Sequence, residues 1–495
     1  MRIIYLSCLY ALSWIWSPAA DAGWVEARSE NFLFRGDVKQ SQAEKLVRNL
    51  EFYRRNVFQA LGASGQPELT PIRIYAVKSK KQIKAILGTD NFGGMYQTTL
   101  RGPAFLLNAK SGFNRNNRAA HIAYHEYVHH LIALNTKDQY PRWFNEGYAE
   151  YLATYKYKDD KFTIGAPDDS HAYPLQRLSW MPMDVILGSV RNYPFDRNKR
   201  GRADRRERAL FYAQSWLAVH YILSHKEMGK KMQAYVKALP GSHDPLKTFE
   251  DSFGMDAKAF ESKLRAYLKA NKFPVGTYAA KTVEDVVVTS RALSKIDGAY
   301  YMADVARHFS GSKAGRDRAI ALYDKIPEGS DYAADIWAGR ADIAARANDF
   351  EAAQNYIGKA KTLAADKDEV VRTSGEILML QYSETRKTQD LIDAKDLFAQ
   401  LITKNAHDPS ASYHFASACG PVNCDIRKAV KAANLARQYY RDAQFAGSNL
   451  NLASIYLKAR DYQSARDIAE FALQWGYTPE IRIGARQLSN HLKNK

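Results

Sequence analysis

His121-Ile-Ala-Tyr-His125-Glu126-Tyr-Val-His129-His130 lies inside an apolar, proline-free run, Ala119 to Leu134, that reads as a helix. At 3.6 residues per turn, His125 and His129 share one face, one turn apart. Two neutral imidazoles so placed suit divalent zinc, and the adjacent Glu126 can reach a water at the same ion. With 12 histidines and 53 carboxylates in 495 residues, chance supplies roughly 0.03 copies of His-acid-x-x-His, so the pattern is informative.

Working outward, the turn formers Asn135, Asp138 and Pro141 precede Trp143-Phe-Asn145-Glu146-Gly147-Tyr-Ala-Glu150-Tyr151, a second helix. Glu146 follows His129 by 17 residues, enough for a turn and a helix packed back on the first. It would complete three protein ligands and leave a fourth position open, the arrangement of a catalytic zinc. Glu150, one turn on, points the same way and can accept the second imidazole N–H of a histidine ligand. His121 and His130 are expected in structural or supporting roles, because the pattern already supplies a complete ligand set. The pairing resembles the gluzincin metallopeptidases, whose third ligand sits in an Asn-Glu stretch on a downstream helix. It is most similar to members that join Trp-x-x-Glu-Gly to an early His-Glu-x-x-His.

That resemblance spans roughly residues 24–270. It implies an α+β zincin-like domain, a zinc cofactor, and peptide-bond hydrolysis with Glu126 as general base. It also implies a Tyr or His from a later helix that hydrogen-bonds the oxyanion. Tyr212, in the apolar helix from Ala209 to about Leu223, is the candidate, with His171, His220 and His225 as alternatives. In such enzymes the strand before the metal helix, here Pro103 to Asn108, is the edge on which an extended substrate pairs; an ordinary internal strand is the plainer reading.

The start of the chain reads as a signal peptide over residues 1–22: Met1-Arg2, an apolar run from Ile3 to Trp16, and an Ala20-x-Ala22 cleavage site. The run is shorter than the ~20 residues that span a bilayer, so the expected location is periplasmic or secreted. Cleavage removes Cys8 and leaves Cys419 and Cys424, a candidate disulfide in an exported chain; half a zinc site would need partners not found nearby.

Residues 23–275 read as the metallopeptidase domain, with a strand at Asn31–Arg35, an amphipathic helix at Ser41–Leu61, a strand at Pro71–Val77 and a hairpin at Tyr155–Ile164. Gly93-Gly94 reads as a turn, and residues 276–290 as a linker. Residues 291–495 read as an all-α solenoid resembling tetratricopeptide repeats, whose period is near 34. Trp337, Ala341, Ala353 and Ala360 fall at the relative positions of one unit, and Ala453, Tyr456, Ala465 and Ala472 at those of another; spacings between units vary.

Of the formal +18 charge, +14 falls on residues 1–290 and +4 on the remainder. The basic half is compatible with an anionic surface or substrate, or with a solvated face; no nucleic-acid module accompanies it, and no nucleic-acid partner is expected. Residues 191–208, with eight basic and three acidic side chains, read as a surface loop. The expected function is an exported zinc peptidase whose repeats recruit a protein substrate or partner. The alternatives are an interaction scaffold with an inactive peptidase fold, and a metal hydrolase of an anionic cell-envelope component.

Overall fold

The computed structural model describes residues 23–495 apart from 63–64, 66, 89–92, 110–117, 136–139, 191, 196–200, 240–241, 243, 282–285, 310–311, 442, 477 and 494. The expected signal peptide with Cys8, part of the turn before Trp143 and part of the basic run lie outside the described residues.

Strands β1 (Gly23–Arg28) and β2 (Phe32–Val38) lead into α1 (Gln40–Ala60), β3 (Ile72–Val77), α2 (Lys80–Leu87), the hairpin of β4 (Gly94–Thr99) and β5 (Gly102–Asn108), and the helices α3 (Arg118–Asn135) and α4 (Arg142–Ala153). The hairpin of β6 (Lys156–Lys158) and β7 (Lys161–Ile164) turns on Asp159 and Asp160, both at positive φ as a tight two-residue turn requires. Helices α5 (Asp169–Arg177), α6 (Met183–Gly188), α7 (Arg202–Ser224), α8 (Lys226–Ala238), α9 (Pro245–Phe253) and α10 (Ala257–Ala270) follow, then strands β8 (Gly276–Ala279) and β9 (Thr289–Ala292).

Six strands form one mixed sheet in the order β4-β5-β3-β2-β1-β9. Strands β3 and β5 are apolar on both faces, apart from Arg73 and the terminal Asn108, because both faces of the sheet are covered. Ile72, Ile74, Ala76, Phe105 and Leu107 face α1 and α3, where they meet Leu46, Leu50, Tyr53, Tyr124 and Tyr127. Tyr75, Val77, Ala104 and Leu106, alternating with them, face Ile83 and Ile86 of α2 and the first helices of the C-terminal half. A third core gathers α4, α6 and α7–α10 around Trp143, Trp216, Phe249 and Phe260.

The C-terminal half is all-helical: α11 (Lys295–Phe309), α12 (Lys313–Tyr323), α13 (Ala333–Ala345), α14 (Phe350–Ala364), α15 (Asp368–Thr385), α16 (Thr388–Lys404), α17 (Pro409–Cys419), α18 (Ile426–Tyr439), α19 (Ala446–Lys458), α20 (Tyr462–Trp475) and α21 (Pro479–Leu492). Neighbours pair as hairpins, α11 with α12 through α19 with α20, and the first helices of successive hairpins also touch. The crossings are built on small side chains, with Ala341, Ala353, Ala360, Ala465 and Ala472 fully buried. Cys419, the last residue of α17, and Cys424, 5.6 Å apart at Cα, are disulfide-bonded. Among the described residues, no helix is long and apolar enough to cross a membrane.

Three expectations are corrected. Pro103–Asn108 is not the sheet edge: β5 pairs with β3 on one side and β4 on the other, and β4 takes the edge. The polar Gly94-Met-Tyr-Gln-Thr-Thr lacks an apolar alternation of its own; pairing with β5 gives it order. Residues 276–290 are not a plain linker, since β8 adds to β7 and β9 pairs with β1. The second half of the basic run is not loop but the first turns of α7, where the Gly201 N–H donates to Asp204 and exposure nearly all round erases any apolar period.

Candidate metal centre

Helices α3 and α4 lie side by side, and α7 backs α4. The last contact depends on Gly147, where a Cβ would stand 2.3 Å from the Ser215 carbonyl oxygen, so the residue after Glu146 must be glycine for α4 to seat at this depth. The packing brings three side-chain atoms together. His125 Nε2 and His129 Nε2 are 3.1 Å apart, and Glu146 Oε2 lies 3.2 Å from the first and 3.3 Å from the second. A regular tetrahedron with edges of that size has its centre about 2.0 Å from each corner, the usual Zn–N and Zn–O bond length. Among the described residues, this is the one trio of His, Cys, Asp or Glu side chains whose ligand atoms all lie within 4.8 Å of one another.

The surroundings aim these atoms. The Asn145 Oδ1 only accepts, so His129 donates to it from Nδ1 at 2.9 Å and turns the Nε2 lone pair inward. His125 Nδ1 lies 3.2 Å from Glu150 Oε1, close but poorly aligned for a hydrogen bond. Two imidazole lone pairs and a carboxylate oxygen thus converge on one point, an arrangement that repels itself unless a proton or a metal cation lies among them. The donor set and spacing fit zinc.

Glu150 is held in turn, its Oε2 lying 2.9 Å from His171 Nε2 and 3.2 Å from His121 Nε2. His171 is buried and stacked on Trp216. Tyr193, which sequence reasoning missed, donates to Glu146 Oε1 at 2.5 Å, leaving Oε2 to the cluster, and the Arg142 guanidinium lies over its ring. Tyr193 stands 47 residues from Glu146 in a stretch without periodicity, so no sequence signal marked it.

Electrostatics follow the geometry. Burial would raise both Glu146 and Glu150, but histidines on every side hold their carboxyls well below the usual range. Burial would lower His125, yet Glu150 and Glu146 push it well up. Glu126 differs: its burial dominates and raises the carboxyl. Its Oε2 accepts from the Tyr96 N–H at 2.6 Å.

Tyr212, on α7, presents its ring edge-on to His125 at 6.1 Å between centroids, beside the cluster. Two of its alternatives lie elsewhere: His220 bonds Tyr267 and Ser224, and His225 the Tyr221 carbonyl. His171 reaches the centre only through Glu150. His130 turns away, lying 3.1 Å from Glu68 Oε2 and 3.1 Å from the Tyr96 hydroxyl. Compared with known proteins, the chain matches no protein-family model and no curated sequence.

Proposed function

We propose that this protein is an exported zinc-dependent peptidase, with a zincin-like N-terminal half and a tetratricopeptide-like C-terminal half. The convergence of His125 Nε2, His129 Nε2 and Glu146 Oε2, with Glu126 beside them, carries the reading. His125, His129 and Glu146 would hold the metal, and Asn145, Glu150 and Tyr193 would orient them. Zinc bound there supplies Lewis-acid polarisation of a carbonyl and of water. Glu126 takes a proton from the attacking water and returns it to the leaving amine. Tyr212 is the proposed hydrogen-bond donor to the oxyanion.

Export is supported by the character of residues 1–22 and by a disulfide, which persists in oxidising compartments. The tetratricopeptide reading is supported by stacked hairpins whose crossings carry buried alanines. The test is metal analysis of the purified mature chain together with a peptide-library cleavage assay. About one zinc per chain and cleavage abolished by Glu126→Gln are expected. Protein that purifies without metal and takes up none when it is supplied would overturn the proposal.

A further inference from the structure

Edge strand β4 is gripped from both halves of the molecule. On the N-terminal side its Tyr96 N–H points out of the free edge and donates to Glu126 Oε2 at 2.6 Å. Helix α3 lies so close that a Cβ on Gly94 would stand 2.2 Å from Ile122 Cγ2 and 3.2 Å from Glu126 Oε1. In an antiparallel pair, alternate residues turn their backbone groups to the same side, so Thr98 faces outward as Tyr96 does. Thr98 lies only about 7 Å along the strand. There the partner is the helical half: Gln444 Nε2 donates to the Thr98 carbonyl at 3.3 Å.

The hairpin tip is held more firmly. The Tyr440 hydroxyl donates to the Leu100 carbonyl at 2.8 Å, and the Leu100 side chain packs into the core of the C-terminal hairpins. Arg101 makes a two-pronged contact with Glu369, at 2.9 and 3.2 Å, and lies 3.5 Å from Glu376. Its side chain is only 10% exposed, so little water reaches the charge and the carboxylates of the stack must balance it. Glu369 is fixed from behind by Arg307, whose Nη2 donates to it at 2.6 Å.

We infer that the helical half positions the general base: Arg101, Tyr440 and Gln444 act through β4 on Glu126 without touching the reacting atoms. Where the helical hairpins were expected to recruit a partner, this part of their surface holds the chain's own hairpin tip. The kinetic side of the inference rests on the peptidase reading; the mechanical side does not.

The test uses the full mature chain with Arg101→Met, Arg101→Lys and Tyr440→Phe, the last removing a single hydroxyl. Amide hydrogen exchange over residues 94–101 is expected to speed up about tenfold or more in Tyr440→Phe, and in Arg101→Met by about tenfold more than exchange in α8–α9, which lie away from the joint, with zinc content unchanged. On a peptide cleaved by the wild type, kcat is expected to fall about tenfold while KM stays within about twofold. Arg101→Lys, which keeps the charge but not the fork, is expected to recover part of both effects. Unchanged exchange over 94–101 in both variants would overturn the inference, as would an unchanged kcat beside faster exchange. A wild type that cleaves no peptide counts against the peptidase reading alone; exchange then decides the coupling.

Discussion

Two of the buried clusters of opposed charge are built differently. Where the halves meet, Arg101, Arg307 and Arg346 face Asp304, Asp342, Glu369 and Glu376. Each guanidinium there lies within 4 Å of at least two carboxylates, and Arg101 meets Glu369 with both prongs of its fork, so opposite charges neutralise one another within the cluster. At the candidate metal centre the bases are imidazoles, and two of them converge with Glu146 on a single spot. The first cluster joins the two halves; the second has the geometry to hold a cation. Removing a charge from the first should cost folding stability, whereas removing one from the second should cost metal.

The largest effect expected is catalytic. Glu126→Gln should lower hydrolysis by about 10²–10⁴-fold with zinc stoichiometry unchanged, measured on a peptide that the wild type cleaves. A parallel loss of zinc would mean Glu126 is a ligand. Next, Arg101→Met leaves Glu369 and Glu376 short of a buried partner and should cost about 3–5 kcal/mol in urea unfolding without changing zinc affinity.

Acid probes the same cluster. The Glu369 carboxyl, which burial alone would raise, is held at about 2 by Arg101 and Arg307. Because the folded value lies below the unfolded one, the stabilisation is present above the ordinary carboxylate range and is lost as pH falls toward about 2. The unfolding free energy should therefore decline over that window, and less steeply in Arg101→Met; equal slopes would remove Glu369 from the account. Smallest is Tyr193→Phe, which should weaken zinc binding about tenfold in chelator competition and leave stability nearly unchanged.

How much was legible in the sequence follows from what each feature depends on. His125 and His129 were legible because one helical turn relates them, and Glu146 because it sits on the next helix. Helix α1 and strand β3 showed in their own periodicity, and β5 as a short strand ahead of the histidine helix. Tyr193 was not legible, since only the folded chain brings it to Glu146. The edge strand β4 was hidden by glycines and polar residues that gain order from β5 and α3. The joint could not be read either: Arg101 and Glu369 stand 268 residues apart, and neither carries a motif.

The pairing of β9 with β1 bears on assembly. Arg291 donates to Glu26 across 265 residues of chain. The entropy of closing so long a loop grows only logarithmically, but it fixes an order of events. In a chain made from its N-terminus, β1 can pair early with its neighbour β2, yet its other edge stays open until Thr289–Ala292 is delivered. The whole N-terminal half must therefore be synthesised before its own sheet can be sealed. The strand that seals it is also the last one before the helices begin, so those hairpins meet a finished surface.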